Sequence, residues 1–267
     1  MSTPDSSKSM DYEVKALGHF AKASVRAEQA VCEHCGGRGE RLVEVNGVVC
    51  IARCRCQMLP DRIRLFNNAQ IPARFAGASF ESFDKDLPDA MPGFLAAYRW
   101  VKAFRPGQPN RSLMLHGAVG RGKTHLLTAI LRELVFQHGV SVRFVEFTHL
   151  LAALKKGFEQ GQGQAQTLDA LAGVDVLAVD ELGKGRRTEW ELAIVDELIS
   201  RRYNGMKVLL GTTNYTPGSA TGVQANLAVD DARHTLGDRI GDRSFSRLME
   251  MADFEWVQGE DYRESAN

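Results

Sequence analysis

The sequence predicts an α/β fold built on a five-stranded parallel sheet, with a small cysteine-rich element ahead of it. Three observations carry this expectation. From Arg111 onward, apolar strand-like segments alternate with longer helix-competent stretches, the pattern of strand and helix units wound onto one sheet. The first of these strand-to-helix turns is rich in glycine and ends in Lys123 and Thr124. All five cysteines fall between residues 32 and 56, in two short clusters.

Composition sets the frame for each element. With 267 residues, 44% apolar and 25% charged, the chain can bury the core of one medium domain plus a smaller attachment. No run of about 18 apolar residues occurs, and "MSTPDSSKSMDYEVK" lacks the apolar centre of a signal peptide, so the expected location is the cytoplasm, with no membrane contact. Basic and acidic residues balance at 33 each, which excludes a global basic field; nucleic-acid contact would need a local patch. In a reducing compartment five cysteines argue against a disulfide framework and for metal ligation.

Residues 1 to about 12 are polar and serine-rich, an unanchored end. In the following "YEVKALGHFAKASVRAEQAV", Val14, Leu17, Phe20, Ala21 and Val25 recur at helical spacing, which predicts a short amphipathic helix. "FDKDLPDAMPGF" and "FRPGQPN" read as proline-bearing loops around a helix, "AAYRWVKAF". The strand candidates are "SLMLHG", "VRFVEF", "VDVLAVD", "KVLLGTT" and "FEWVQ". After Lys123, Leu127, Ile130, Leu131 and Leu134 mark one helical face that ends at Gly139, a glycine C-cap. Thr188 and Glu191 have capping-box spacing at the head of a helix that stops at Asn204-Gly205. "EQGQGQAQ" reads as an exposed loop. The expected division is an N-terminal helix and cysteine element over 1–57, a linker over 58–85 and a nucleotide-binding domain over 86–267.

"GAVGRGKT" satisfies G-x-x-x-x-G-K-[ST] after an apolar strand and before an amphipathic helix. Gly117, Gly120 and Gly122 allow backbone amides to approach phosphates closely, and Arg121 within the cradle and His125 just after it are further expected nucleotide-binding residues. Lys123 is placed for the β- and γ-phosphates of ATP, and the Thr124 hydroxyl for Mg²⁺. "VLAVDE" ends a buried strand in two carboxylates: Asp180 for the metal's water and Glu181 to activate the attacking water. "LLGTTN" delivers Asn214 to the same sheet edge, where its amide can position that water. In "LGDRIGDRSFSRLMEM" steps of four put Arg239, Arg243 and Arg247 on one helical face if the helix extends that far back; Arg247 is the expected arginine finger for a neighbouring subunit, Arg243 a supporting contact and Arg239 a surface residue.

Together these parts resemble an AAA+ ATPase of the DnaC-type helicase-loader family, which includes the IstB transposition ATPases. The resemblance spans about Ile71 to Arg263: "IPARFAGASFESF" is similar to that family's linker, "DELGKGRRTEWE" to its Walker B segment, and "TTN" with "GDRSFSRLME" to its sensor and arginine-finger box. It implies ATP hydrolysis dependent on self-association, a truncated helical lid, and loading of a DnaB-type replicative helicase onto DNA. It also suggests Arg263 in "DYR" as a phosphate or interface contact. An IstB-like transposition regulator and a nucleotide-switched zinc adaptor with little turnover are the alternatives.

The cysteines fit zinc, a redox pair or plain buried thiols. Cys32 and Cys35, with Cys54 and Cys56, offer four soft ligands from two short loops around a hairpin; the unusual C-x-C leaves Cys50 or His34 as substitutes. A redox C-x-x-C would need a βαβ context that is missing here. The resemblance agrees with zinc, since several loaders carry such an element and use it to engage the helicase. Arg53, Arg55, Arg62, Arg64 and Arg74 form the most basic stretch, readable as a solvated face or a polyanion contact. Lys155 and Lys156 end the helix after the second strand, where the resemblance implies contact with single-stranded DNA; the helix dipole also favours lysines there without any ligand.

Overall fold

The computed structural model describes residues 12–26, 32, 34–85, 89–159, 164–218 and 235–262. Arg263 and residues 27–31 lie outside them. At the centre is a parallel sheet of five strands: β5 (Ser112–His116), β6 (Val142–Glu146), β7 (Val176–Asp180), β8 (Val208–Thr213) and β9 (Ala252–Trp256), in the order β6-β7-β8-β5-β9. All five expected strands form. Side-chain alternation divides them between two apolar layers: Leu113, Leu115, Ala178 and Leu210 face one core, while Met114, Leu177, Val179 and Leu209 face the other. Burial on both faces explains the near-continuous apolar runs in the sequence.

The first layer holds α1 (Arg55–Asn68), α2 (Met91–Ala103) and α3 (Lys123–Glu133). A π-helical turn at Leu134–His138 continues α3 and stops at Gly139, whose φ of 67° supplies the left-handed cap. The second layer holds α4 (Phe147–Glu159), α5 (Gln164–Gly173), α6 (Glu189–Asn204), α7 (Leu236–Ile240) and α8 (Asp242–Met251). The Thr188 hydroxyl accepts from the Glu191 amide and the Glu191 carboxylate from the Thr188 amide, so the capping box forms. Inside this layer Arg202 is fully buried; its guanidinium donates to the carbonyls of Ala172, Val174, Asp175 and Val208, and burial lowers its pKa to about 10. It pins the starts of β7 and β8, a role no motif announced.

Three expectations need correction. The predicted N-terminal helix is a hairpin, β1 (Tyr12–Leu17) and β2 (Phe20–Val25), turned at Gly18-His19. Period two was the relevant spacing: Tyr12, Ala21 and Ala23 share one buried face, with Val14 packed beside them. Tyr12 stacks on Phe136 with ring centroids 3.6 Å apart, and the Ala21 amide donates to the Ile71 carbonyl at 2.8 Å, so tertiary docking selects the strands. Second, the three arginines do not lie on one helix. Gly241, with φ of 87°, separates α7 from α8. Third, Arg239 is half-buried and donates to the carbonyls of Gly183 and Gly185, with its guanidinium over the Tyr215 ring, so it anchors the loop after β7.

A separate two-stranded sheet, β3 (Glu40–Val45) and β4 (Val48–Arg53), projects between the cysteine clusters. Leu42, Val49 and Ile51 on it are exposed. α1 links it to the rest: Cys56 lies in its first turn, while Phe66 at its other end is in the core. Among the described residues no helix is long and apolar enough to cross a membrane.

Candidate nucleotide site and metal centre

The turn from β5 to α3 forms the floor of a cleft of about 340 Å³ at the carboxyl edge of the sheet. Gly122 caps α3 with φ of 80°, and a Cβ there would lie 2.7 Å from the Phe83 ring; Gly117 has φ of 140°, and a Cβ would meet the Val257 carbonyl at 2.4 Å. Conformation and space both demand glycine at these two positions. Gly120, Arg121, Gly122, Lys123, Thr124 and His125 line the cleft, with Glu181 and Asn214 opposite, and Gly117 lines the adjoining pocket. The structure thus brings the predicted cradle, carboxylate and amide into one place.

Lys123 is buried, and its ammonium donates to the carbonyls of Gly117 at 2.8 Å and Ala118 at 2.6 Å. Beneath it Asp180 is buried and accepts from the hydroxyls of Thr212 at 2.6 Å and Thr124 at 2.9 Å. Burial raises the Asp180 pKa and the two hydroxyl bonds oppose it, so the carboxylate is desolvated yet still hydrogen-bonded. Glu181 adopts φ of 56°, unusual for a residue with a side chain, and its amide donates to the Thr212 hydroxyl at 2.9 Å. Its carboxylate pairs with Lys184 at 2.6 Å. His116, at the end of β5, is pushed down to about 4 by burial and by the nearby Lys123 charge, so it is neutral.

Several lining residues escaped sequence reasoning. Arg74, Phe75, Phe83, Asp84 and Ala90 come from the segment before the core, part of it expected to be only a linker. Its aromatic density, three phenylalanines within "RFAGASFESF", was the available signal. The Arg74 guanidinium lies over the Phe75 ring at 4.5 Å, and its charge acts on Asp180. His125 Nε2 bonds the Ser79 carbonyl at 2.9 Å and ties this segment to the cradle. From the other side Gln258, Gly259, Glu260 and Tyr262 close the cleft, and the Tyr262 amide donates to the Gly120 carbonyl at 3.1 Å.

Arg243 and Arg247 do not line this cleft. Arg247, 19% exposed, donates to Asp196 on α6 at 2.7 Å; Arg243, 76% exposed, lies 3.8 Å from the same carboxylate. The basic stretch also disperses. Arg62 donates to the carbonyls of Phe136 and Gln137 at the end of the π-helical turn, and Arg64 pairs with Asp61. Lys155 and Lys156 are exposed on α4, and only Lys155 faces a groove of about 880 Å³ with Leu151, Ala152, Arg186 and Trp190.

Cys32, Cys35, Cys54 and Cys56 form one cluster, with every sulfur within 4.8 Å of the others. Cys32 and Cys54 are 3.8 Å apart, and Cys35 and Cys56 3.7 Å. A tetrahedral zinc with bonds of about 2.3 Å requires sulfur separations of about 3.8 Å, so the donor set fits. The Gly39 amide donates to the Cys35 sulfur at 3.2 Å. Burial pushes this thiol up, but that amide and the three neighbouring thiols bring it down to about 7, and the thiolate is the form a metal takes. Cys50 is exposed on β4, and neither it nor His34 joins the cluster.

Comparison with known proteins follows this geometry. Residues 63–265 match the family described as IstB-like ATP binding protein. The chain is 33% identical over 205 residues to an ATP-binding protein of an insertion sequence in Mycobacterium tuberculosis, covering 75% of this chain and 74% of that one. It is 28% identical over 181 residues to the replicative helicase loader DnaC of Escherichia coli K12, covering 67% and 68%. A crystal structure of the DnaC helicase loader superposes with a TM-score of 0.58 at 25% identity, over 69% of this chain and 99% of that one. With the family match running through the cradle, both carboxylates and β9, the chain belongs to the IstB-like ATP-binding proteins and has the AAA+ fold of the DnaC loaders.

Proposed function

We propose that this protein is an ATPase that loads a hexameric DnaB-type replicative helicase onto DNA. The observation that carries the reading is the assembly of Lys123, Thr124, Asp180, Glu181 and Asn214 around one cleft, in a chain whose family match over residues 63–265 takes in that cleft and which is 28% identical to DnaC over 181 residues. In-line attack by water on the γ-phosphate forms the new P–O bond and releases ADP; Glu181 takes the water's proton, Asn214 orients that water and the Lys123 ammonium balances charge on the phosphates. Thr124 and Asp180 would hold Mg²⁺, which neutralises phosphate charge when bound. Arg243 and Arg247 act in trans on a neighbouring subunit's nucleotide. Arg243 reaches solvent directly, and Arg247 exchanges Asp196 for phosphate.

The partner module lies within residues 1–57, held by zinc on the four cysteines; the ATPase domain occupies 86–267, with 58–85 closing its cleft. Lys155 contributes to a single-strand contact along the groove it lines, where apolar side chains, Trp190 and cations meet. Lys156 is a flanking phosphate contact. The insertion-sequence relative favours a second reading, regulation of transposition on target DNA.

Co-purification with the cognate helicase tests the proposal. Wild type with ATP should retain the helicase, and Cys35→Ser should release it while still binding ATP. Glu181→Gln should lower turnover by about 10²–10⁴-fold and trap ATP-bound oligomers. No association under any nucleotide condition sinks the loader reading.

A further inference from the structure

The groove beside α4 and the nucleotide cleft are joined by one side chain. Lys184 lines the groove with Lys155 and Arg186, yet its ammonium bonds Glu181 Oε2 in the cleft at 2.6 Å. The backbone that carries it is fixed. The Lys184 amide donates to the Glu181 carbonyl at 3.0 Å, and Arg239 grips the carbonyls of Gly183 and Gly185 from behind. Only the lysine's flexible stem is left to move, and the side chain is 56% exposed.

An ammonium on Oε2 occupies a lone pair that the attacking water would use and weakens the carboxylate as a base. The groove supplies a competitor for that ammonium. Three cations face it, and the only carboxylate among its described lining residues, Glu191, is committed to the Thr188 amide in the capping box. The half-buried Trp190 ring and the aliphatic parts of Leu151 and Ala152 suit bases, and the cations suit phosphodiesters.

Resting on the ATPase reading, we propose that Lys184 is a catch on the catalytic carboxylate: it holds Glu181 while the groove is empty, and releases it when a single-stranded DNA phosphate in the groove takes its ammonium. Lys184 is thus a positioning residue, and DNA occupancy sets the rate of hydrolysis through it.

The test is steady-state ATP turnover of the full chain with Mg²⁺, with and without a thymidine homopolymer. Lys184→Met should raise the DNA-free rate by about two- to fivefold, the span that an exposed ion pair allows, and should respond little to added DNA. Lys184→Arg should restore the DNA dependence, and Lys155→Ala should raise the DNA concentration that gives half-maximal stimulation. A Lys184→Met rate at or below wild type without DNA, at equal affinity for a fluorescent ATP analogue and equal melting temperature, overturns the catch. A stronger response to a uridine homopolymer than to the thymidine one overturns DNA as its trigger. Absence of wild-type turnover under every condition is instead failure of the ATPase reading itself.

Discussion

The nucleotide cleft and the cysteine hairpin are held together by different means. Behind the cleft, Leu113, Leu115, Ile130 and Leu131 are almost wholly excluded from water, and the polar groups of the cleft hang from strand and helix ends fixed by that packing. On the hairpin, Leu42 is 73% and Ile51 70% exposed, so little burial stabilises β3 and β4. A two-stranded sheet is marginal alone, and here the four-sulfur cluster closes its base. The contrast separates a rigid chemical centre, supported by core area, from an exposed module whose order depends on a few bonds.

Removing the metal should break this comparison most severely. Structural zinc contributes about 10–16 kcal/mol of apparent binding energy in small domains, so chelation of the zinc-loaded chain should deprotect residues 39–53 in amide hydrogen exchange. Protection of α3 and β5 should persist, because neither touches the cluster. If both regions lose protection together, the hairpin and the core are one cooperative unit.

Truncating one apolar side chain in each region sharpens the contrast. Leu131→Ala, at a fully buried position, should cost about 2–5 kcal/mol in urea unfolding. Ile51→Ala should change it by less than about 0.5 kcal/mol, as exposed substitutions do. Equal effects would mean that Ile51 is covered in solution.

A third difference is a pH dependence confined to the cleft side. His116 has a folded pKa of about 4 against an ordinary 6.5, so the unfolded chain binds the proton first as pH falls. Stability should be complete above about pH 6.5 and decline toward pH 4, by about 2–3 kcal/mol from this group. His116→Asn should flatten that part of the curve in thermal melts.

Legibility also differed between regions. The cradle, Asp180, Glu181, Asn214 and all five sheet strands were readable because each depends on local residue types in fixed order. The helix read across residues 12–26 failed because "YEVKALGHFAKASV" satisfies both periods weakly, and tertiary docking decides between them, through the Tyr12 and Phe136 stack and the bond from the Ala21 amide to the Ile71 carbonyl. Arg239 was misread as a surface residue because its acceptors, the carbonyls of Gly183 and Gly185, lie over fifty residues upstream. Arg247 kept its place on α8, but its bond to Asp196 was invisible for the same reason. The closing of the cleft by Arg74, Phe75, Phe83, Asp84 and Ala90 from one segment and Gln258, Gly259, Glu260 and Tyr262 from another is likewise a meeting of distant segments.

By itself, then, the sequence determined the sheet, the glycine-rich turn and the grouping of cysteines in two short clusters, since backbone conformation, apolar periodicity and residue type are written locally. Only the tertiary structure decided which side chains close the cleft, that Glu181 is held by Lys184, and that α1 ties the four-cysteine cluster to the core. Those contacts depend on segments far apart in the chain, whose proximity is set by packing two apolar layers against one sheet.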